Sequence, residues 1–194
     1  MILLAVVALA TLAANGASQL RFTAAAFLGV SLAANAIAAG ATSLAQLAVL
    51  GCAGLVAAAV LYVAARDSEY GEEPGWRLWA ATLIAAVATP LAFASFRTIT
   101  GEPPALELFS ADSSTVVVQV AAFWLLSSGM AILVTARRAV RMTVGALLMV
   151  TGLQLLIRLA PGPQLALTIG VAWLEVLVAL TGAFLIVNER AIRE

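Results

Sequence analysis

The chain has 194 residues, 63% of them apolar and only 10% charged, with a mean hydropathy of +1.07. A soluble domain carries about 25% charged residues, so the composition excludes a soluble fold; at about 20 residues per span there is room for six or seven transmembrane helices and none for a soluble catalytic domain. All ten cations are arginine, balanced by ten acids, and there is no histidine, which argues against nucleic acid, a polybasic lipid site, haem, copper or zinc.

Apolar runs bounded by charge or by Gly and Pro place spans at 2–20, 22–40, 43–65, 78–95, 115–136, 142–160 and 164–187. The first run lacks the basic start of a secretory signal and reads as a true span. Between Phe22 and Ala65 only the small residues Gly40 to Ser43 interrupt the run. Those residues would reach about 66 Å as one helix, twice a bilayer core, so the chain must turn back there. The single cysteine, Cys52, lies inside the third span and reads as a small buried apolar residue. With no second cysteine there is neither an intrachain disulfide nor a thiolate cluster.

In a seven-span layout, Arg21, Arg66, Arg77, Arg137, Arg138, Arg141, Arg190 and Arg193 fall on one side. Arg97 and Arg158 fall on the other. By the positive-inside rule the arginine-rich side is cytoplasmic, the N-terminus out and the C-terminus in. A six-span layout that drops an N-terminal helix separates the arginines less cleanly. The expected fold is therefore an all-α integral membrane protein of about seven helices, one transmembrane domain over 1–194, with alanine-rich helices in 1–96 and three further helices in 114–194.

The segment from Arg66 to Arg77 holds four acids, one proline and two glycines and reads as a solvated turn, flanked by Tyr62, Trp76 and Trp79 at interface depth. It lacks the register of a calcium loop. The segment from Arg97 to Asp112, with Pro103-Pro104, reads as an external connection lying on the membrane or against a partner. Alanine dominates the first three spans together with Gly29, Gly40, Gly51 and Gly54, a composition that lets helices approach closely in lipid. Asn15, Gln19, Asn35, Gln46 and Gln119 read as amides that hydrogen-bond across helix interfaces.

Two charged residues depart from this pattern. Arg158 is three residues before Pro161-Gly162-Pro163, about 5 Å below the helix end, and can snorkel to the interface. Glu175 falls twelve residues into a span of 24, near the bilayer centre, where a carboxylate costs roughly 2.5–3.5 kcal/mol and marks a functional position by default. If the last two spans form a hairpin turning at Gly162, Met149 and Val150 are level with Glu175, and Arg158 is about 13 Å away along the axis. A direct bridge within the hairpin is not expected. Gln154, Thr151 and Thr168 are the local hydrogen-bonding candidates. A proton relay needs a second titratable group within reach, and the chain offers none at that depth.

The stretch Gly145-Ala146-Leu147-Leu148-Met149-Val150-Thr151-Gly152, followed by Gln154-Leu155-Leu156, resembles the component-E membrane subunit of hydrogenase-4-type complexes and the related K subunit of complex I. Gly170-Val171-Ala172-Trp173-Leu174-Glu175-Val176-Leu177-Val178-Ala179-Leu180 resembles the next helix of the K subunit, with Glu175 on that subunit's intramembrane carboxylate. In the N-terminal half, Ser18-Gln19-Leu20-Arg21 and Tyr62-Val63-Ala64-Ala65-Arg66-Asp67 resemble component E in the same order. Val150 stands where the family carries an acid, and Leu55 to Ala64 lacks the lysine of some members, which argues against autonomous proton transfer.

The resemblance implies a non-catalytic membrane-arm subunit of a complex I-like or group 4 hydrogenase-type assembly in a bacterial or archaeal cytoplasmic membrane. It would be part of a hetero-oligomer, packed against antiporter-like subunits, and would bind no cofactor. Proton transfer or coupling would fall to Glu175 with Gln154, Thr151 and Arg158. The alternatives are a purely structural membrane spacer and, with few polar groups to support it, a small transporter acting alone.

Overall fold

The computed structural model describes residues 2–16, 20–65, 75–100, 113–159 and 165–192. Among them the regular elements are seven α-helices: α1 (Ile2–Gly16), α2 (Leu20–Ile37), α3 (Leu44–Ala64), α4 (Gly75–Thr100), α5 (Ser113–Thr135), α6 (Ala139–Leu159) and α7 (Leu165–Ala191). A short 3₁₀ turn, Ala39–Ala41, separates α2 from α3. The expected turns at 66–74, 101–112 and 160–164, and Ser18-Gln19, lie outside the described residues.

All-helical architecture follows from the solvent. Lipid cannot hydrogen-bond backbone N–H and C=O groups, so an apolar chain must satisfy them within each segment. Helices α3 to α7 are long and apolar enough to cross a membrane, whereas α1 and α2 are apolar but shorter. The helix α4 runs longer than the expected 78–95 at both ends and carries Pro90 in its interior. The break at Gly40 to Ser43 falls where expected: Thr42 leaves helical conformation and Ser43 caps α3 in a reciprocal box with Gln46, satisfying two N–H groups that α3 would otherwise leave open.

The helix α6 is the most enclosed. It packs against α5, α7 and α2, while α3 packs against α7 and α2, and α1 against α2, α5 and α4. The two halves of the chain thus interlock. Glycine makes the α5–α6 contact possible: a Cβ added at Gly152 would lie 2.9 Å from the Ala122 carbonyl oxygen, and one at Gly145 would lie 3.0 Å from the Gly129 carbonyl oxygen. Small residues allow backbones this close in lipid, where dispersion rather than the hydrophobic effect holds helices together. On α7, Gly182 makes room in the same way for Thr143 of α6. Phe123 of α5 packs edge-on against Phe93 of α4 at 6.1 Å and tilted against Phe96 at 5.2 Å.

Polar side chains fasten the helices at both ends. At one end the Asn15 amide donates to Thr82 at 3.0 Å, and the Arg141 guanidinium donates to the Asn15 carbonyl. There too, Glu189 pairs with Arg138 at 3.1 Å and accepts from the Ala139 N–H at 3.2 Å. Glu189 therefore caps α6 from the last turns of α7, where the open N–H groups and the helix dipole favour an anion. At the other end Gln46 donates to Thr168 at 3.5 Å and Arg158 donates to Asn35. These contacts make Asn15, Asn35 and Gln46 interhelical fasteners, as their sequence positions suggest.

Two expectations are corrected. Cys52 is exposed on the outer face of α3, because the buried face of that helix is set by Leu50, Ala53, Gly54, Ala57, Ala58 and Leu61 and Cys52 falls outside that stripe. Arg158 does not snorkel. It is half-buried, and its Nε and Nη1 are enclosed without a partner. The cause is the backward tilt of helical side chains: Cβ points toward the helix N-terminus, which for a residue in the last turn of α6 is into the bundle.

Candidate functional site

Glu175 is 0% exposed. Its Oε2 accepts from Gln154 Nε2 at 2.7 Å across the α6–α7 interface, and its Oε1 has no partner. Gly54 of α3 stands opposite, where an added Cβ would be 3.6 Å from Glu175 Oε1 and would collide with Ser31 of α2. The carboxyl group is thus enclosed by four helices. Gly54 is ten residues from each end of α3, which puts the site midway along a helix long enough to cross a membrane.

Register explains how the four residues meet. Ser31 and Gly54 stand eleven residues to either side of Thr42-Ser43, so the α2–α3 hairpin brings them level. Helices α3 and α7 run in the same direction, with Gln46 beside Thr168 and Gly54 beside Glu175. Helices α2 and α6 also run in parallel, with Asn35 beside Arg158. Gln154 is one turn below Arg158 on the same face of α6.

Met149, level with Glu175 by the hairpin count, packs against Gly129 of α5, and of the three expected hydrogen-bonding candidates the one that meets Glu175 is Gln154. On antiparallel helices the backward tilt acts in opposite directions: Glu175 leans toward the α6–α7 connection and Gln154 leans away from it. Two long side chains therefore converge although their Cα atoms are not level.

Among the sequence-derived candidates, the structure brings Gln154 and Glu175 into contact. Thr151 is buried, but its hydroxyl donates to the Leu147 carbonyl at 2.9 Å within its own helix. Thr168 is engaged by Gln46 instead. Arg158 forms no ion pair with Glu175; its guanidinium donates to Asn35 of α2. Sequence reasoning missed Ser31 entirely and took Gly54 only for a packing residue. The equal spacing of the pair about Thr42-Ser43 was the signal that could have found both.

The surroundings are asymmetric. Toward the arginine-rich end the four helices around Glu175 carry Phe27, Leu61, Leu147, Leu148 and Ala179, all 0% exposed. Toward the opposite end come Asn35 with Arg158, and beyond them Gln46 with Thr168. Glu175 is the only buried acid among the described residues. A carboxyl group held by one amide, with its second oxygen unclaimed, can keep or exchange one proton; it cannot pass that proton through the protein by itself. Compared with known proteins, the chain matches no family model, no curated protein and no solved structure.

Proposed function

We propose that the protein is a non-catalytic membrane-arm subunit of a redox-driven ion-pumping complex of the complex I-like or group 4 hydrogenase type, with Glu175 as its proton-handling or coupling residue. The observation that carries the reading is the fully buried Glu175 in the middle of the helices with one oxygen unclaimed. An ionisable group at such depth is expensive and is retained where charge or protons must be handled. Because no second buried acid is present among the described residues, proton transfer requires a group on another chain, which is why a subunit fits better than a transporter acting alone. The resemblance to component E, and to the K subunit whose intramembrane carboxylate falls at Glu175, names antiporter-like subunits as the neighbours.

In this reading all seven helices span the cytoplasmic membrane of a bacterium or archaeon, with the arginine-rich end inside by the positive-inside rule. Arg158, Gln154 and Thr151 belong to the site, Gln154 by direct contact and the others by adjacency. The chain itself carries no cofactor.

A second reading has an observation in its favour: Gln154 already gives Glu175 a partner within the chain, as in a purely structural spacer. Glu175→Gln separates the two. In the purified native complex the first reading expects normal assembly and redox turnover with loss of coupled pumping. Unchanged pumping in that variant, or purification of the protein from its own membranes without any partner, overturns it.

A further inference from the structure

We propose that Arg158 is the counter-charge of Glu175, joined to it through water, so that the site is a buried ion pair clamped by one face of α6 rather than a lone carboxyl group.

The Arg158 guanidinium carries five N–H donors and cannot shed its charge. Nη2 donates to Asn35 Oδ1, while Nε and Nη1 are buried with nothing to donate to. Enclosed guanidinium N–H groups must find an acceptor or bear an uncompensated desolvation cost. Among the described residues the only buried acid is Glu175, and its Oε1 has the opposite defect, an acceptor without a donor.

Three unmatched atoms thus lie on two oppositely charged groups in one half of the bundle. Their Cα atoms are about 13 Å apart along the axis by the hairpin count, and the side chains lean toward each other across that interval. Arg158 is one helical turn, about 6 Å, from Gln154 on the same face of α6, and Gln154 touches the other oxygen of Glu175 at 2.7 Å. Being near the C-terminal end of α6, Arg158 leans back along the helix toward Gln154, which is toward Glu175.

The two charged groups do not touch, since Oε1, Nε and Nη1 all lack a direct partner. A water molecule is the species that accepts from a guanidinium and donates to a carboxylate at once. Buried waters characteristically hold two to four such groups together. Asn35 and Ser31 of α2 supply polar surface on the same side. Gln154 and Arg158 then grip the two carboxyl oxygens from one helix face, and Asn35 fixes the far side of the guanidinium. Arg158 is a positioning residue here: it holds Glu175 ionised and oriented. The pairing does not depend on the membrane-arm reading, because both groups belong to this chain.

The test uses the full chain in lipid nanodiscs, with infrared difference spectra against Glu175→Gln to isolate the Glu175 band, and SDS-driven unfolding to read the folding equilibrium. The wild type is expected to display a carboxylate band. In Arg158→Met that band is replaced by the protonated-carboxyl C=O stretch, and in Arg158→Lys the carboxylate band returns. In unfolding, the double variant Glu175→Gln/Arg158→Met is expected to be at least about fivefold more favourable than the sum of the single effects, because removing both charges leaves neither one uncompensated. A protonated carboxyl in the wild type overturns the proposal, as does a Glu175 band indifferent to Arg158→Met or a strictly additive cycle. None of these outcomes bears on whether the protein pumps within a larger complex.

Discussion

Gly152→Ala and Gly170→Ala make the same chemical change on long apolar helices and should have opposite signs. At Gly152 the new methyl would sit 2.9 Å from the Ala122 carbonyl oxygen, 2.9 Å from Leu126 Cγ and 3.1 Å from the Leu126 nitrogen. Two of these are backbone atoms of α5, so the collision cannot be relieved by a rotamer change. Ordinary contact begins near 3.4 Å, so α5 and α6 must separate by roughly half an ångström along a seam that also holds Gly129 and Gly145. Forcing an extra methyl into a packed interior costs about 1–3 kcal/mol. Against this stands a gain of about 1 kcal/mol from replacing glycine by alanine within a helix. The balance at Gly152 is a loss of up to about 2 kcal/mol, or as much as a thirtyfold shift in the folding equilibrium. At Gly170 nothing lies within 4 Å of the added atom, so the helical gain stands alone and the substitution should stabilise by up to about 1 kcal/mol. The assay is SDS-driven unfolding of both variants in mixed micelles, followed by tryptophan fluorescence. If Gly152→Ala is as stabilising as Gly170→Ala, the close α5–α6 approach is refuted.

Two further outcomes follow from the packing. Glu189→Ala removes both the ion pair to Arg138 and the cap on the Ala139 N–H, and should cost about 1–2 kcal/mol. Added salt should weaken only the ion-pair share, because both side chains are partly exposed, and a loss fully abolished by salt would mean that the cap contributes nothing. Cys52, facing outward from the middle of α3, should tolerate Cys52→Leu with a change within about 0.5 kcal/mol in SDS-driven unfolding; a loss of about 1–3 kcal/mol, as for an overpacked core position, would place it in the interior.

The elements were legible in the sequence to within a few residues because lipid leaves an apolar chain little choice: each backbone group must be satisfied inside its own helix. The turn at Gly40 to Ser43 was fixed by length alone, since an uninterrupted helix would have been twice too long for a bilayer, and Ser43 with Gln46 supplied its cap. Glu175 stood out for the same kind of reason, a costly group at mid-depth in an apolar run.

Composition and depth could not specify which faces meet. Hydrophobic periodicity carries little information when a helix is apolar all round, so the sequence left Cys52 on the wrong face and Ser31 unnoticed. Depth counting put Met149 and Val150 level with Glu175 and left open which of Gln154, Thr151 and Thr168 bonds it, because it treats side chains as points on an axis. In the folded bundle they lean toward their helix N-termini, which draws Gln154 to the carboxyl group from a turn away and turns Arg158 inward instead of toward the interface. The sequence by itself determined that one carboxylate would be stranded in the membrane. Only the packing of α2, α3, α6 and α7 decided which groups surround it, because those neighbours are chosen by interhelical register and side-chain direction rather than by hydropathy.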